Sequence, residues 1–229
     1  MGTKDGTVRI RSAAGPDLPY CYEICLKTGE EGKDASGLFS DPLLLGQYYA
    51  APYFFYDLSL CFVVEGDGLP KGYLLAAADT PAFNRWMETQ WLPTLRRRYP
   101  RPFPSAKSEQ ERNLVTLIHH PLTPPDDTSP PPVPFRIGAY PAHFHIDLLP
   151  ELQGRGWGRA LVETLLEELR NRRCPGIHLG VSANNTGALA FYTRLGFSIL
   201  EKTPWGFVMG RGVESGEGAQ FERIKGISK

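Results

Sequence analysis

The sequence predicts an α/β fold, and three observations carry that prediction. Apolar runs of strand length alternate with segments of helical periodicity along most of the chain. A hairpin signal stands at Leu60 to Val64 and Gly72 to Ala78, two apolar runs flanking Glu65-Gly66-Asp67-Gly68. Further on, an apolar run ending at Leu149 passes through a glycine-rich turn into an amphipathic helical stretch. At 229 residues the chain can bury a core without covalent staples.

Each element follows in order. Thr7 to Ser12 alternates Val8 and Ile10 with Arg9 and Arg11, the pattern of a half-buried strand. Asp17 is placed to cap a helix in which Leu18, Cys21, Tyr22, Cys25 and Leu26 recur at spacings of three and four. Gly29 to Gly37 reads as loop, and Gln47 to Tyr56 as a short helix with a turn around Pro52. After the hairpin, Thr80 to Tyr99 has helical spacing and closes on Arg96, Arg97 and Arg98, cations suited to a helix C-terminus. Leu114 to Ile118 reads as a strand, and the proline-rich Pro121 to Pro134 as an extended loop. The second half reads as strand Ala142 to Leu149, helix Gln153 to Arg172, strand Ile177 to Ser182 and helix Thr186 to Leu195, then strands Phe197 to Glu201 and Phe207 to Arg211. Residues 1–211 are expected to form one domain with an insert at about 79–134, followed by a tail over 212–229.

Composition narrows the function. Lys plus Arg and Asp plus Glu both total 25, so no net field draws in nucleic acid or an anionic membrane. No apolar stretch approaches the roughly 20 residues of a membrane span, and no signal peptide is visible. A cytoplasmic protein is expected, a monomer or homodimer. Cys21, Cys25, Cys61 and Cys174 show neither C-x-x-C spacing nor a zinc cluster, and read as buried thiols. His119 and His120 lack a third ligand, so no metal is expected.

The chemistry concentrates in Leu148-Leu149-Pro150-Glu151-Leu152-Gln153-Gly154-Arg155-Gly156-Trp157-Gly158-Arg159. Each glycine costs a helix about 1 kcal/mol against alanine. Three of them at a helix start imply a guest pressed against the backbone. Unpaired N–H groups and the positive end of the helix dipole make a phosphate the natural guest. The spacing is neither that of a P-loop nor the dinucleotide fingerprint.

A second motif follows the next strand: Asn184-Asn185-Thr186-Gly187-Ala188-Leu189-Ala190-Phe191-Tyr192-Thr193-Arg194-Leu195-Gly196-Phe197. Together, Q-G-x-G-x-G and N-x-x-A-x-x-x-Y-x-x-x-G-F resemble the GNAT acetyltransferase superfamily from about Ala142 to Phe197. Tyr140-Pro141-Ala142-His143-Phe144-His145-Ile146-Asp147 further resembles the GNAT-like domain at the C-terminal end of O-GlcNAcase, with this chain as a stand-alone, bacterial-type relative. The resemblance implies a central mixed, mostly antiparallel sheet of about seven strands flanked by helices, and acetyl-CoA as co-substrate. It places the pyrophosphate of coenzyme A on Gln153, Gly154, Arg155, Gly156, Trp157, Gly158 and Arg159. Leu148 and Leu149 would lie along the pantetheine arm, with a backbone N–H there polarising the thioester, and Asn185 and Ala188 would border its other side. Tyr192 is the candidate acid for the leaving thiolate.

For the base, His143, His145 and Asp147 alternate along one strand and share a face if it is regular. Either His145 or Asp147 could take the proton, and a satisfied structural network would look the same at this level. His178 is a further candidate. The implied reaction is acetyl transfer to a primary amine; the alternative is a module that binds acyl-CoA or a protein without turnover. The segments expected to form the acceptor site, Leu43 to Tyr56 and Thr80 to Pro104, are aromatic with scattered arginines and are compatible with a bulky or partly anionic acceptor.

Overall fold

The structure is a computed structural model that describes residues 8–120 and 138–213. The proline-rich loop and residues 214–229 of the expected tail fall outside those residues, while Gly212 ends the last strand and Val213 is buried. In chain order the elements are β1 (Arg9–Ser12), α1 (Leu18–Thr28), α2 (Leu44–Tyr49), α3 (Ala51–Tyr56), β2 (Cys61–Gly66), β3 (Leu69–Ala77), α4 (Thr80–Trp86), α5 (Leu92–Arg98) and α6 (Glu109–His119). Then come β4 (Ala142–Leu148), α7 (Trp157–Asn171), β5 (Gly176–Ser182), α8 (Thr186–Arg194), β6 (Ser198–Thr203) and β7 (Gly206–Gly212).

Among the described residues seven strands form one sheet, ordered β1-β2-β3-β4-β5-β7-β6. Every pairing is antiparallel except β4 with β5. Side-chain alternation sends each strand's residues to two cores. Cys61, Val63, Tyr73, Leu75 and Ala77 face the core built with α1 to α6. Leu74, Ala76, Phe144, Leu179 and Met209 face the core packed on α7, whose buried stripe is Leu161, Leu165, Leu166 and Leu169.

Four local expectations are corrected. Leu114 to Ile118 is helical, because Ser108 caps α6 through the Glu111 N–H at 3.0 Å, and Leu114, Val115 and Ile118 then form one buried stripe. Glu111 itself is fully buried, its carboxylate accepting from the Ser40 N–H, the Ser40 hydroxyl and the Lys107 N–H at 2.5–2.7 Å. Asp17 does not cap α1 with its side chain; its carboxylate accepts from Arg11 at 2.6 and 2.8 Å and from the Ala14 N–H at 2.8 Å. Residues 44–56 form two helices, with Pro52 in the first turn of α3, where a missing N–H is harmless. Finally, Thr80 to Tyr99 is not one regular helix: Pro93 cannot donate into the preceding turn, and Met87–Trp91 is a π-helical turn.

Candidate active site

The site begins where the sheet opens. β4 and β5 pair only at Ala142↔Ile177 and His143↔His178. Beyond that point the parallel strands separate. Phe144 to Leu148 keeps its partners on β3 and leaves its other edge facing a gap. The register of β4 on β3 runs unbroken from His143 to Leu148, so no bulge interrupts it. His143, His145 and Asp147 therefore share one face, as the alternation predicted.

Two cavities fill the gap. The larger, of about 710 Å³, runs from Ile146 and Leu148 across Gln153, Gly154, Gly156 and Gly158 to Arg159 and Arg194. The smaller, of about 280 Å³, lies between α1, α2 and the sheet, against Cys25, Tyr49, His145, Gly180 and Ser182. Both are bordered by Thr28, Ile146, Asp147, Asn185, Ala188 and Tyr192. Asp147 and Tyr192 thus stand where the two spaces join.

The glycine-rich segment is a turn, and the helix starts at Trp157 instead of Gln153. Gly154 (φ +70°) and Gly156 (φ +89°) hold left-handed backbone that other residues adopt at a cost of about 1–2 kcal/mol. A Cβ on either would meet nothing within 4 Å, so both border open space. Gly158 is there for a different reason: a Cβ would come within 3.1 Å of the Phe191 ring, so α7 packs closely on α8. The first N–H bonded inside the helix is that of Ala160, to Gly156 O at 3.0 Å, so the N–H groups of the residues before it make no intrahelical bond. Gln153 ties the turn down, donating to Leu148 O at 2.8 Å and Gly32 O at 3.5 Å. Asn185 caps α8 through the Ala188 N–H at 2.9 Å while bordering both cavities.

Not every expected cofactor residue lies on the large cavity. Leu149 packs on the opposite core, and its N–H is bonded to Lys71 O at 3.0 Å, so it cannot polarise a thioester. Arg155 is exposed and Trp157 packs on the core beneath the helix; neither lines the cavity. Arg194, which the sequence reading passed over, does line it. It sits two residues after Tyr192, and its helical position was the available signal.

The polar face of β4 divides in two. His143 is structural: Thr80 Oγ1 donates to Pro141 O at 2.7 Å, so the His143 Nδ1–H must donate to Thr80 Oγ1, also at 2.7 Å. Burial, with His178 and His145 nearby, pushes the His143 imidazolium down to about 3. His178 gives its Nδ1–H to Tyr140 O at 2.7 Å, and burial lowers its pKa as well. His145 and Asp147 form the other group. The His145 Nδ1 lies 3.4 Å from Asp147 Oδ2, and Tyr49 stacks on the ring at 5.3 Å. Burial raises the Asp147 pKa against the opposing pull of His145 and Tyr73. Tyr73 is the residue that sequence reasoning missed, since in an apolar run it looked like core. It is fully buried, directly opposite Asp147, and its hydroxyl donates to the Asp147 carboxylate. Tyr192 packs edge-on against Phe144, Phe191 and Phe197, and burial pushes its phenol well above the ordinary value, so it stays protonated.

The arginine run faces elsewhere. Arg96 donates to Ile118 O at 2.8 Å and pairs with Glu88, while Arg98 pairs with Asp41 at 2.8 Å. The small cavity is instead lined by the carboxylates of Glu31 and Asp147, with no Lys or Arg among the described residues that border it. Among the described residues no group of His, Cys, Asp and Glu could hold a metal, and no helix is long and apolar enough to cross a membrane.

Residues 137–197 match the model of the acetyltransferase (GNAT) family. The crystal structure of SsHAT is 36% identical, with a TM-score of 0.78, covering 90% of this chain and 98% of that one. Protein O-GlcNAcase of Rattus norvegicus is 21% identical over 187 residues; the match takes in 82% of this chain but only 20% of that much longer protein. The [ribosomal protein bS18]-alanine N-acetyltransferase of Escherichia coli (strain K12) is 44% identical over 55 residues, 24% of this chain and 37% of that enzyme.

Proposed function

The chain belongs to the acetyltransferase (GNAT) family, and on that premise we propose that it transfers the acetyl group of acetyl-CoA directly to a primary amine. The observation that carries this reading is the junction of two cavities at Asp147 and Tyr192. The large cavity suits a phosphate-bearing, extended ligand. The left-handed turn at Gly154 and Gly156 opens onto it, the start of α7 offers unpaired N–H groups, and Arg159 and Arg194 supply positive charge. The small cavity, with Glu31 and Asp147, suits an arriving ammonium group.

Acetyl-CoA supplies an activated acetyl group: the new N–C bond forms as the C–S bond breaks, leaving an amide and a thiol. The protein's part is proton management. An alkylamine with a pKa near 10.4 attacks only after losing a proton. The His145–Asp147 pair is the acceptor for that proton. The phenol of Tyr192, kept protonated by burial, supplies the proton the sulfur needs. The apolar rings around Tyr192 keep water from competing with the amine.

Two measurements test this. Acetyl-CoA and CoA titrated calorimetrically should each bind at micromolar levels; no heat and no thermal stabilisation would leave only a non-catalytic interaction module. Tyr192→Phe should lower kcat by about 100-fold while leaving acetyl-CoA affinity intact. Equal loss of turnover and binding would remove Tyr192 as the acid.

A further inference from the structure

Within the acyl-transfer reading, the pair His145–Asp147 leaves open which member takes the amine proton. Tyr73 decides it. The β3–β4 register sets Tyr73 opposite Asp147 and Leu75 opposite His145, so the phenol lies beside both polar side chains on one face. Tyr73 Oη donates to Asp147 Oδ2 and is also 3.2 Å from His145 Nδ1. A phenol has one proton, and with Asp147 ionised that proton lies towards the carboxylate. The phenol oxygen can then only accept from the imidazole, so Nδ1 must carry the ring hydrogen. A neutral imidazole has one N–H, which leaves Nε2 as the bare lone pair.

The surroundings hold this arrangement in place. Tyr49 lies near-parallel to the His145 ring, with centroids 5.3 Å apart and 21° between planes, and the Tyr73 ring is at 5.9 Å and 25°. From α1, Cys25 and Thr28 line the small cavity beside His145 and Asp147. Burial pushes the Cys25 thiol and the Tyr49 phenol upward, so both stay neutral, as does His143 further along β4. Tyr192, at the junction, stays protonated too, and Glu31, whose Oε1 accepts from the Ser182 hydroxyl, is the other carboxylate on the small cavity. The charge of the Asp147 carboxylate is supported against burial by His145 and Tyr73, and its Oδ2 faces Nδ1. The ring itself lines the small cavity with about 31% of its side-chain surface open.

We propose that His145 Nε2 is the general base, and that Tyr73 is a positioning residue which fixes the His145 tautomer by relaying the charge of Asp147. The amine proton passes to Nε2, and the imidazolium so formed donates through Nδ1 towards Tyr73 and Asp147. That proton later returns by way of solvent to Tyr192, whose own proton has gone to the sulfur.

The test reads the tautomer directly and needs no turnover, so it stands apart from the acyl-transfer reading on which the inference rests. Long-range ¹⁵N–¹H spectra of the full chain saturated with CoA at pH 8 should show His145 as the Nδ1–H form. An Nε2–H signal in the unaltered protein would overturn the proposal, because Asp147 would then hold a proton and Nδ1 would accept. Tyr73→Phe keeps the volume and removes the relay. It should give mixed His145 tautomers, lower kcat about tenfold and displace the acidic limb of the kcat/KM pH profile, with acetyl-CoA affinity unchanged. If Tyr73→Phe leaves both tautomer and pH profile as they were, Tyr73 is merely core, and the proposal fails. Should Tyr73→Phe not fold, the spectrum of the unaltered protein still decides the matter.

Discussion

The large cavity and the small one meet at Asp147, yet they are made in opposite ways. The large one is chiefly backbone. The turn Gln153 to Gly156, with two glycines in left-handed conformation, and the start of α7 form one side, and α8 closes the far side. The small one is chiefly side chains gathered from distant places: Cys25 and Thr28 on α1, Tyr49 on α2, His145 on β4 and Ser182 on β5. A backbone site tolerates change in most side chains but depends on its glycines. A side-chain site depends on register and helix docking, and can be retuned one residue at a time. The sharpest break in this comparison is therefore at a glycine. Gly156→Val forces a β-branched residue to φ +89° and fills the space beside the turn. We expect acetyl-CoA affinity to fall at least thirtyfold, about 2 kcal/mol, from strain and lost access together. Calorimetry should show amine-site variants leaving that affinity alone. A Gly156→Val protein that binds normally would mean the turn is not the phosphate cradle.

The same contrast explains what could be read in the sequence. The glycine turn, the flanking strand and the helix after it are local, so Gln153 to Arg159 and Asn185 to Tyr192 were legible as motifs. The sheet was legible as well, since its strands carry their own alternation or apolar run and the hairpin its own turn. Periodicity misplaced Leu114 to Ile118, because five residues fit either period and the deciding cap, Ser108, lies outside them. It could not find Tyr73, whose importance lies in standing opposite Asp147 across 74 residues of sequence. Nor could it tell that Leu149 turns to the other core, or that Arg96 is bound to Glu88 and a carbonyl and Arg98 to Asp41. Those facts come from docking, which no window of sequence contains.

Acid should strain the side-chain half first. The His143 pKa, about 3 in the folded chain, lies below the ordinary 6.5. Between those values the unfolded chain takes a proton that the folded chain refuses, so stability is lost as pH falls, by up to about 1.4 kcal/mol per unit. Asp147, with its pKa raised, works in the other direction, since protonation relieves the burial of its charge. Unfolding free energies from denaturant titrations at pH 7.5 and pH 5.0 should differ by about 2 kcal/mol more in the unaltered protein than in His143→Asn. Equal pH dependence in the two would show that His143 titrates freely and that the floor beneath α3 and α4 is wetter than its contacts imply.

The two halves also differ in charge, and here the effects shrink because the groups are exposed. Arg159 is 61% exposed and shares its charge with Glu163 at 3.7 Å, so Arg159→Gln should weaken acetyl-CoA about fivefold, and Arg194→Gln similarly. Raising ionic strength should erase much of either effect, since rim charges are screened within about 8 Å at physiological salt.

Glu31 is the counterpart on the amine side and the smallest effect we expect. It is held at φ +53°, and its Oε1 accepts from the Ser182 hydroxyl at 2.9 Å, a tie between the loop after α1 and the end of β5. Glutamine can keep that hydrogen bond and lose only the charge, so Glu31→Gln separates attraction from architecture. The amine KM should rise about threefold at low salt, with kcat and acetyl-CoA affinity unchanged, as befits one exposed charge. A diamine should suffer more than a monoamine of equal length, and an amino acid whose carboxylate Glu31 now repels should gain. If Glu31→Gln instead altered acetyl-CoA binding, or Arg159→Gln the amine KM, the charges would not be partitioned between the cavities, and the division between a backbone half and a side-chain half would not extend to electrostatics.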